Sequence, residues 1–97
     1  MFNNNRYITC GIAAAIPQEI IALLWTLIEE LPAPADYLQV FSISYTSGDN
    51  PHLTIVHSQE QPEYTKTWTV PFNEEINAKI FVIDDTTHST MLLAEEY

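Results

Sequence analysis

The strongest pattern along the chain runs from Pro17 to Leu31, where apolar residues recur at helical spacing. The residues of this apolar face are Ile20, Leu24, Leu27, Ile28 and Leu31. Pro17 suits the first helical position, because its φ is already set and its missing N–H costs nothing there. Pro32 and Pro34 stop the helix. The pattern predicts one main helix whose wide apolar face needs a large apolar partner.

Most of the remaining chain shows the patterns of β-strands. The predicted strands are Arg6–Cys10, Tyr37–Tyr45, His52–Ser58, Tyr64–Val70, Lys79–Ile83 and Ser89–Ala94. We expect Gly11–Ile16 to cross over to the helix, and Pro71–Ala78 to form a turn or a short helical piece. The continuous apolar run Lys79–Ile83 is typical of a strand covered on both faces. Short loops between strands imply an antiparallel meander.

These elements predict an α+β fold in two layers, with one main α-helix packed on a mostly antiparallel β-sheet of about five to six strands. A chain of 97 residues with 46% apolar residues has the size and core of one domain, covering residues 1–97. No segment is apolar for long enough to span a bilayer.

Matching the apolar faces of neighbouring strands predicts their register. The first hairpin would place Phe41 beside His57, and the second would place His57 near Tyr64. One continuous face would then carry Gln39, Phe41, Ile43, Leu53, Ile55, His57, Lys66 and Trp68. If this face meets the helix, its polar members need partners in the core. If it faces solvent, it is an aromatic patch that could bind a partner.

The charge of the chain is its most unusual property. Three basic residues stand against 13 acidic ones, for a formal net charge of −10. Such a chain is repelled by nucleic-acid phosphates and by anionic membranes, so neither is an expected partner. Solubility alone accounts for the charge most simply, whereas the partner that it would attract is a basic protein surface.

The single cysteine, Cys10, excludes a disulfide within the chain and is easiest to reconcile with a reduced, cytoplasmic location. We expect its thiol to behave as a small buried apolar group rather than as a nucleophile. The two glycines, Gly11 and Gly48, are too far apart for a phosphate-binding loop or a dinucleotide fingerprint. No cofactor is therefore predicted.

Two groups of polar residues could carry chemistry. His57 lies near Glu60 and Glu63 in sequence, and a histidine with an orienting carboxylate can act as a general base. No activated nucleophile accompanies it, and a histidine at the end of a strand beside a solvated loop is the more ordinary interpretation.

The second group is Asp84, Asp85 and His88, which offers oxygen and nitrogen ligands within one turn. Adjacent ligands of this kind do not close a coordination sphere, and Asp-Asp-Thr-Thr is also ordinary turn chemistry. We therefore assign no catalytic residue and no metal. A small hydrolase or metal-dependent enzyme built on either group is the alternative function.

The amino-acid sequence resembles that of a known family over nearly its whole length. The similar stretches are Tyr7-Ile8-Thr9, Ile16-Pro17 with Leu24-Trp25, Asp36–Phe41, His57–Tyr64, Val82–Asp85 and Ser89–Tyr97. They resemble the domain-of-unknown-function family number nine-sixty of Gram-positive bacteria and their phages and plasmids. The resemblance implies a compact bacterial protein, carried in some cases on a mobile element, and it brings no assigned activity, cofactor or catalytic residue.

The leading interpretation is a non-enzymatic, acidic protein–protein interaction module, whose unknown partner would be basic. Its predicted partner-binding residues are Phe41, His57, Glu60, Glu63, Tyr64 and Trp68. A third interpretation is a homodimer formed through an uncovered edge strand or through the face that bears Phe41 and Trp68.

Overall fold

The computed structural model describes residues 1–97 and contains two helices where the sequence pattern predicts one. Helix α1 covers Cys10–Ala15 and helix α2 covers Gln18–Glu29. The crossover expected at Gly11–Ile16 is thus mostly helical. Helix α1 begins where the Oγ1 of Thr9 accepts a hydrogen bond from the N–H of Ile12 (3.2 Å), and its alanines favour helix.

Helix α2 confirms the main helix that the sequence pattern predicts between Pro17 and Leu31. Its buried side chains are Ile20, Ile21, Leu24, Trp25, Leu27 and Ile28. Pro17 is the residue before the helix rather than its first residue, and Glu19 lies in the first turn, where its charge meets the positive end of the helix dipole.

Six strands form one sheet. They are β1 (Asn5–Ile8), β2 (Leu38–Thr46), β3 (His52–Gln59), β4 (Tyr64–Pro71), β5 (Ala78–Asp84) and β6 (His88–Leu93). Their order across the sheet is β1-β6-β5-β2-β3-β4. All neighbours are antiparallel except β1 and β6, which are parallel. A 3-10 turn, Ala94–Glu96, follows β6. The fold is a strand-rich α+β fold.

The expected meander is correct for β2, β3 and β4 and for the pair β5 and β6, but it breaks between β4 and β5. After the edge strand β4, the chain returns to the middle of the sheet, and β5 pairs with the free side of β2. This placement sets Ile80 opposite Phe41 and Val82 opposite Gln39, so the buried face of the sheet continues without a gap. Burial of apolar side chains therefore decides the strand order here, and the length of the loop does not.

The predicted register of the first hairpin is confirmed, with Phe41 opposite His57. In the second hairpin Tyr64 lies opposite Gln59, and His57 lies opposite Lys66, two positions from the prediction. The reason is that Gln59 is 6% exposed and belongs to β3 instead of the loop. A shift of two residues keeps the same side chains on the same face.

Both helices pack on one face of the sheet. The core joins α1 and α2 to Phe41, Ile55 and Met91. The opposite face is not covered by a helix, and we call it the open face. In β5, Ile80 and Val82 are buried whereas Phe81 and Ile83 remain partly exposed. The expectation that this strand is covered on both faces is therefore wrong. Neither helix is both long enough and apolar enough to span a lipid bilayer.

Candidate functional site

The aromatic face predicted from the sequence is the core face of the sheet. Phe41 and His57 are 0% exposed, and their rings stack with centroids 4.3 Å apart. The His57 ring also meets the ring of Tyr64 edge-on at 5.5 Å. A solvent-facing patch that includes Phe41 and His57 is therefore ruled out, because both side chains are completely buried. Tyr64 and Trp68 are half-buried near the edge of the sheet.

The buried polar groups on this face satisfy one another. The Oε1 of Gln39 lies 2.7 Å from the Nε2 of His57. The Nε2 of Gln39 donates to the backbone oxygen of Asp36 (2.9 Å) and to the Oε1 of Gln59 (2.8 Å). Because both amide hydrogens of Gln39 are used, its Oε1 accepts, and the Nε2 of His57 must carry the hydrogen. His57 is thus a neutral histidine held in one tautomer.

The other ring nitrogen of His57 has no partner. Nδ1 is buried and unbonded, as is the Nε1 of Trp68. Burial lowers the pKa of His57 to about 4, because a charged ring would lose its hydration in this setting. His57 therefore stays neutral near pH 7. Its Nδ1 is a bare acceptor sealed from solvent, which is unsuited to taking protons from a substrate.

The carboxylates predicted to assist His57 lie outside the core. Glu60 and Glu63 are exposed on the loop between β3 and β4, and the only polar partner of His57 is Gln39. The general-base arrangement of the alternative function is consequently not assembled. The same loop is tied to the segment after α2, because the backbone N–H of Gln61 donates to the Oδ2 of Asp36 over 3.1 Å.

The second candidate group is divided between the core and the surface. Asp84 is 7% exposed and accepts hydrogen bonds from the N–H of Phe2 (2.6 Å), the N–H of Thr86 (2.7 Å) and the Nδ2 of Asn4 (3.1 Å). Burial alone would raise the pKa of Asp84. These hydrogen bonds and the nearby N-terminal charge outweigh it, and they hold the pKa below its ordinary value.

The exposed part of this group forms a closed turn. The Oδ1 of Asp85 accepts from the backbone N–H of Thr87 and of His88, and its Oδ2 lies 3.1 Å from the Nε2 of His88. Hydrogen bonds from the His88 N–H and from Thr87 hold the pKa of Asp85 below its ordinary value. No three His, Cys, Asp or Glu side chains converge to hold a metal ion. Asp84 and Asp85 are therefore structural groups of the turn and of the N-terminal segment.

Cys10 differs from the expectation. It is exposed and lies at the first position of α1, so it does not fill the core. The thiol has no ion-pair or hydrogen-bond partner that would mark it as a nucleophile.

Two surface grooves are lined by other residues, although Phe2, whose N–H donates to Asp84, lines one of them. One, of about 670 Å³, lies at the ends of β3 and β4 beside Pro51, His52 and Phe72. The other, of about 600 Å³, lies between the N-terminal segment and the end of α2, and it contains the Arg6–Glu29 ion pair (2.8 Å). Neither groove contains a predicted site residue.

Sequence reasoning missed the partners that complete the buried network. Gln59 accepts from Gln39 and from the N–H of Asp36, and it donates to the backbone oxygen of Pro62 over 2.8 Å. The sequence signal that could have revealed these partners is the alternation of apolar and polar residues along each strand. Gln39, His57 and Gln59 all fall on apolar faces of their strands, where a polar residue needs a partner.

The fold and this network define a strand-rich α+β domain whose buried polar residues hold its structure together. The chain belongs to the family described as staphylococcal protein of unknown function (DUF960), whose model matches residues 5–96. Comparison with curated proteins gave no match. The crystal structure of a protein of unknown function from Enterococcus faecalis has the same fold, with a TM-score of 0.81 and 24% identity over 98% of this chain and 92% of that one.

Proposed function

We propose that this protein is a non-enzymatic interaction module that binds a basic surface of another protein through its exposed carboxylates. The observation that carries the proposal is how few of them are neutralised. Of the 13 acidic residues, only Glu29 forms an ion pair with an arginine or lysine, and Asp85 has the ring of His88 as its partner. Lys66 and Lys79 lie over the rings of Trp68 and Phe81 instead, with the Nζ of Lys66 4.3 Å from the ring centroid.

The best-organised acidic surface includes Asp36, Glu60 and Glu63. The hydrogen bonds from Gln61 to Asp36 and from Asp36 to Gln59 hold the loop against the segment after α2, so these three carboxylates share one end of the molecule. We call this surface the acidic end. These hydrogen bonds favour binding, because a loop that is already held in place loses less conformational entropy on association. Glu60 and Glu63 are also among the partner-binding residues predicted from the sequence.

The test compares two charge-matched double variants as baits in a lysate of the native host. Glu60→Gln with Glu63→Gln removes charge from the acidic end. Glu74→Gln with Glu75→Gln removes the same charge from the loop before β5. We expect the wild type and the second variant to retain one basic protein that elutes as salt rises, and the first variant to lose it. Retention that ignores salt, or equal loss from both variants, would contradict the proposal.

A further inference from the structure

The groove between the N-terminal segment and the end of α2 is mostly apolar. Its volume of about 600 Å³ falls within the roughly 300–1,000 Å³ of ligand-binding pockets. Ile28 and Leu31 line it from the end of α2, and Ala33 and Ala35 line it from the segment that follows. The alanines leave space along this wall, and Pro34 between them has no N–H to offer. The groove therefore suits an apolar side chain better than a polar one.

Both walls of the groove are held in place by hydrogen bonds. On one wall Phe2 is 3% exposed, and its N–H donates to the Oδ2 of Asp84 over 2.6 Å. The opposite wall ends at Asp36, whose N–H donates to the Oε1 of Gln59 over 3.0 Å. A groove whose walls are already fixed binds at a lower cost in conformational entropy.

The end of α2 makes the border of this groove negative. Glu29 is the last residue of the helix and lines the groove, and Glu30 follows it, exposed and without an ion pair. Cations are favoured at this end of a helix, yet the last turn of α2 contains no basic residue. Arg6 makes a single contact with Glu29 (2.8 Å) and lies over the ring of Trp25. A further cation is therefore favoured here, and an anion is not.

We infer that this groove seats an apolar side chain of the basic partner, with a neighbouring lysine or arginine held at the end of α2. The inference rests on the proposed function and deepens it, since it names the part of the partner that is recognised. Ala35 lines the groove and Asp36 belongs to the acidic end, so the two surfaces adjoin. An apolar anchor in a pocket supplies much of the energy of a protein interface, and the surrounding charges select the partner.

The first test measures binding of two capped probe peptides to the isotope-labelled full chain by amide chemical shifts. One peptide is Lys-Lys-Leu-Lys-Lys, and in the other serine replaces leucine. The serine peptide controls for general attraction to a chain of net charge −10. We expect the leucine peptide to bind about tenfold more tightly, because its leucine is buried, and to shift the amides of Ile28, Ala33 and Ala35. Equal binding of the two peptides, or binding of neither, would overturn the inference.

The second test blocks the groove. Ala33→Phe fills it, whereas Ala22→Phe makes the same change on the exposed surface of α2. Both alanines are exposed, so both variants should fold, and only Ala33→Phe should lose the preference for leucine over serine. A Ala33→Phe chain that keeps this preference would contradict the inference.

The negative border has its own pair of variants. Glu30→Gln should weaken the binding of both peptides about threefold, the range of one exposed ion pair. Glu19→Gln removes the same charge from the first turn of α2 and should leave binding unchanged. Equal effects of these two substitutions would show that the end of α2 does not hold the basic residue.

The lysate experiment separates this inference from the proposed function. As a bait, Ala33→Phe should lose the basic protein that Ala22→Phe retains. If Ala33→Phe retains a protein that the double variant of Glu60 and Glu63 loses, the inference is wrong and the proposed function stands. A wild type that retains no basic protein would remove the proposed function and the inference with it.

Discussion

The Nε2 of His57 donates to the Oε1 of Gln39 over 2.7 Å, and both side chains are completely buried. The pKa of His57 is lowered from 6.5 to about 4, so the unfolded chain takes up this proton before the folded one. The contribution of His57 to stability is therefore fully present above pH 6.5 and is lost as the pH falls towards 4. One pKa unit corresponds to about 1.4 kcal/mol, so we expect a total loss of about 3 kcal/mol.

The measurement is urea unfolding at a series of pH values for the wild type and His57→Gln. Glutamine keeps a donor for Gln39 and cannot titrate, so the stability of this variant should fall less over the same pH range. His52→Gln is the matched control, since it removes a histidine from the surface end of the same strand. Identical pH dependence in the wild type and in His57→Gln would contradict the prediction.

A second prediction concerns Asp84, which holds the N-terminal segment in place. In Asp84→Asn the new amide group would face the N–H of Phe2 or the side chain of Asn4, donor against donor. We expect a loss of about 1–3 kcal/mol of unfolding free energy, because a buried charge-assisted hydrogen bond is broken. Phe2, which is 3% exposed, should leave the core, and amide hydrogen exchange near the N-terminus should accelerate.

The control for this experiment is Asp49→Asn, which alters an exposed turn by the same change of charge. It should shift stability by less than about 0.5 kcal/mol, as surface substitutions do. Equal effects of the two substitutions would show that the hydrogen bonds to Asp84 do not hold the N-terminal segment.

A third prediction follows from the contact between Gly11 and Glu96. A Cβ at Gly11 would lie 2.6 Å from the Oε2 of Glu96, whose Oε1 accepts from the Oγ1 of Thr9 (2.7 Å) and the N–H of Leu93 (2.8 Å). These hydrogen bonds also hold the pKa of Glu96 below its ordinary value. Gly11→Ala should therefore destabilise the protein by displacing the Glu96 carboxylate.

The sign should reverse when the carboxylate is absent. In a Glu96→Ala background, Gly11→Ala should raise the free energy of unfolding by up to about 1 kcal/mol, which is the usual gain from alanine over glycine inside a helix. A double-mutant cycle by thermal unfolding measures both values. Equal effects of Gly11→Ala in the two backgrounds would show that Glu96 does not limit the space at this position.

A fourth prediction concerns the exposed thiol of Cys10. A thiol-specific reagent such as dithionitrobenzoate should modify one equivalent of the native protein without denaturant. Unfolding should change the rate only modestly, because the group is already accessible. A thiol that reacts only after unfolding would contradict the exposed position at the start of α1.

The pattern of the chain predicts the main helix, the strands and the first hairpin, because each depends on local periodicity. Helix α1 is missed because the apolar stretch Gly11–Ile16 has no polar face to reveal a helical period. The position of β5 is missed because strand order depends on which edge offers apolar side chains, and periodicity does not carry that information.

The candidate site shows the same limit. Alternation places Gln39 and His57 on one face, but it does not show whether that face is covered. Whether the face is covered depends on where both helices pack. Because they pack on this face, Phe41 is a core residue and not a binding residue. The acidic residues Glu60 and Glu63 remain exposed because their loop continues beyond the covered part of the sheet.

The pairing of β1 with β6 has a consequence for synthesis of the chain. The two strands come from opposite ends of the sequence, and the Phe2–Asp84 hydrogen bond joins positions 82 apart. A ribosome therefore completes β1 and both helices long before their partners in β5 and β6 exist. The core beneath the helices is completed only when Ile80, Val82 and Met91 of these last strands emerge, so closure of the sheet is a late event and depends on almost the whole chain.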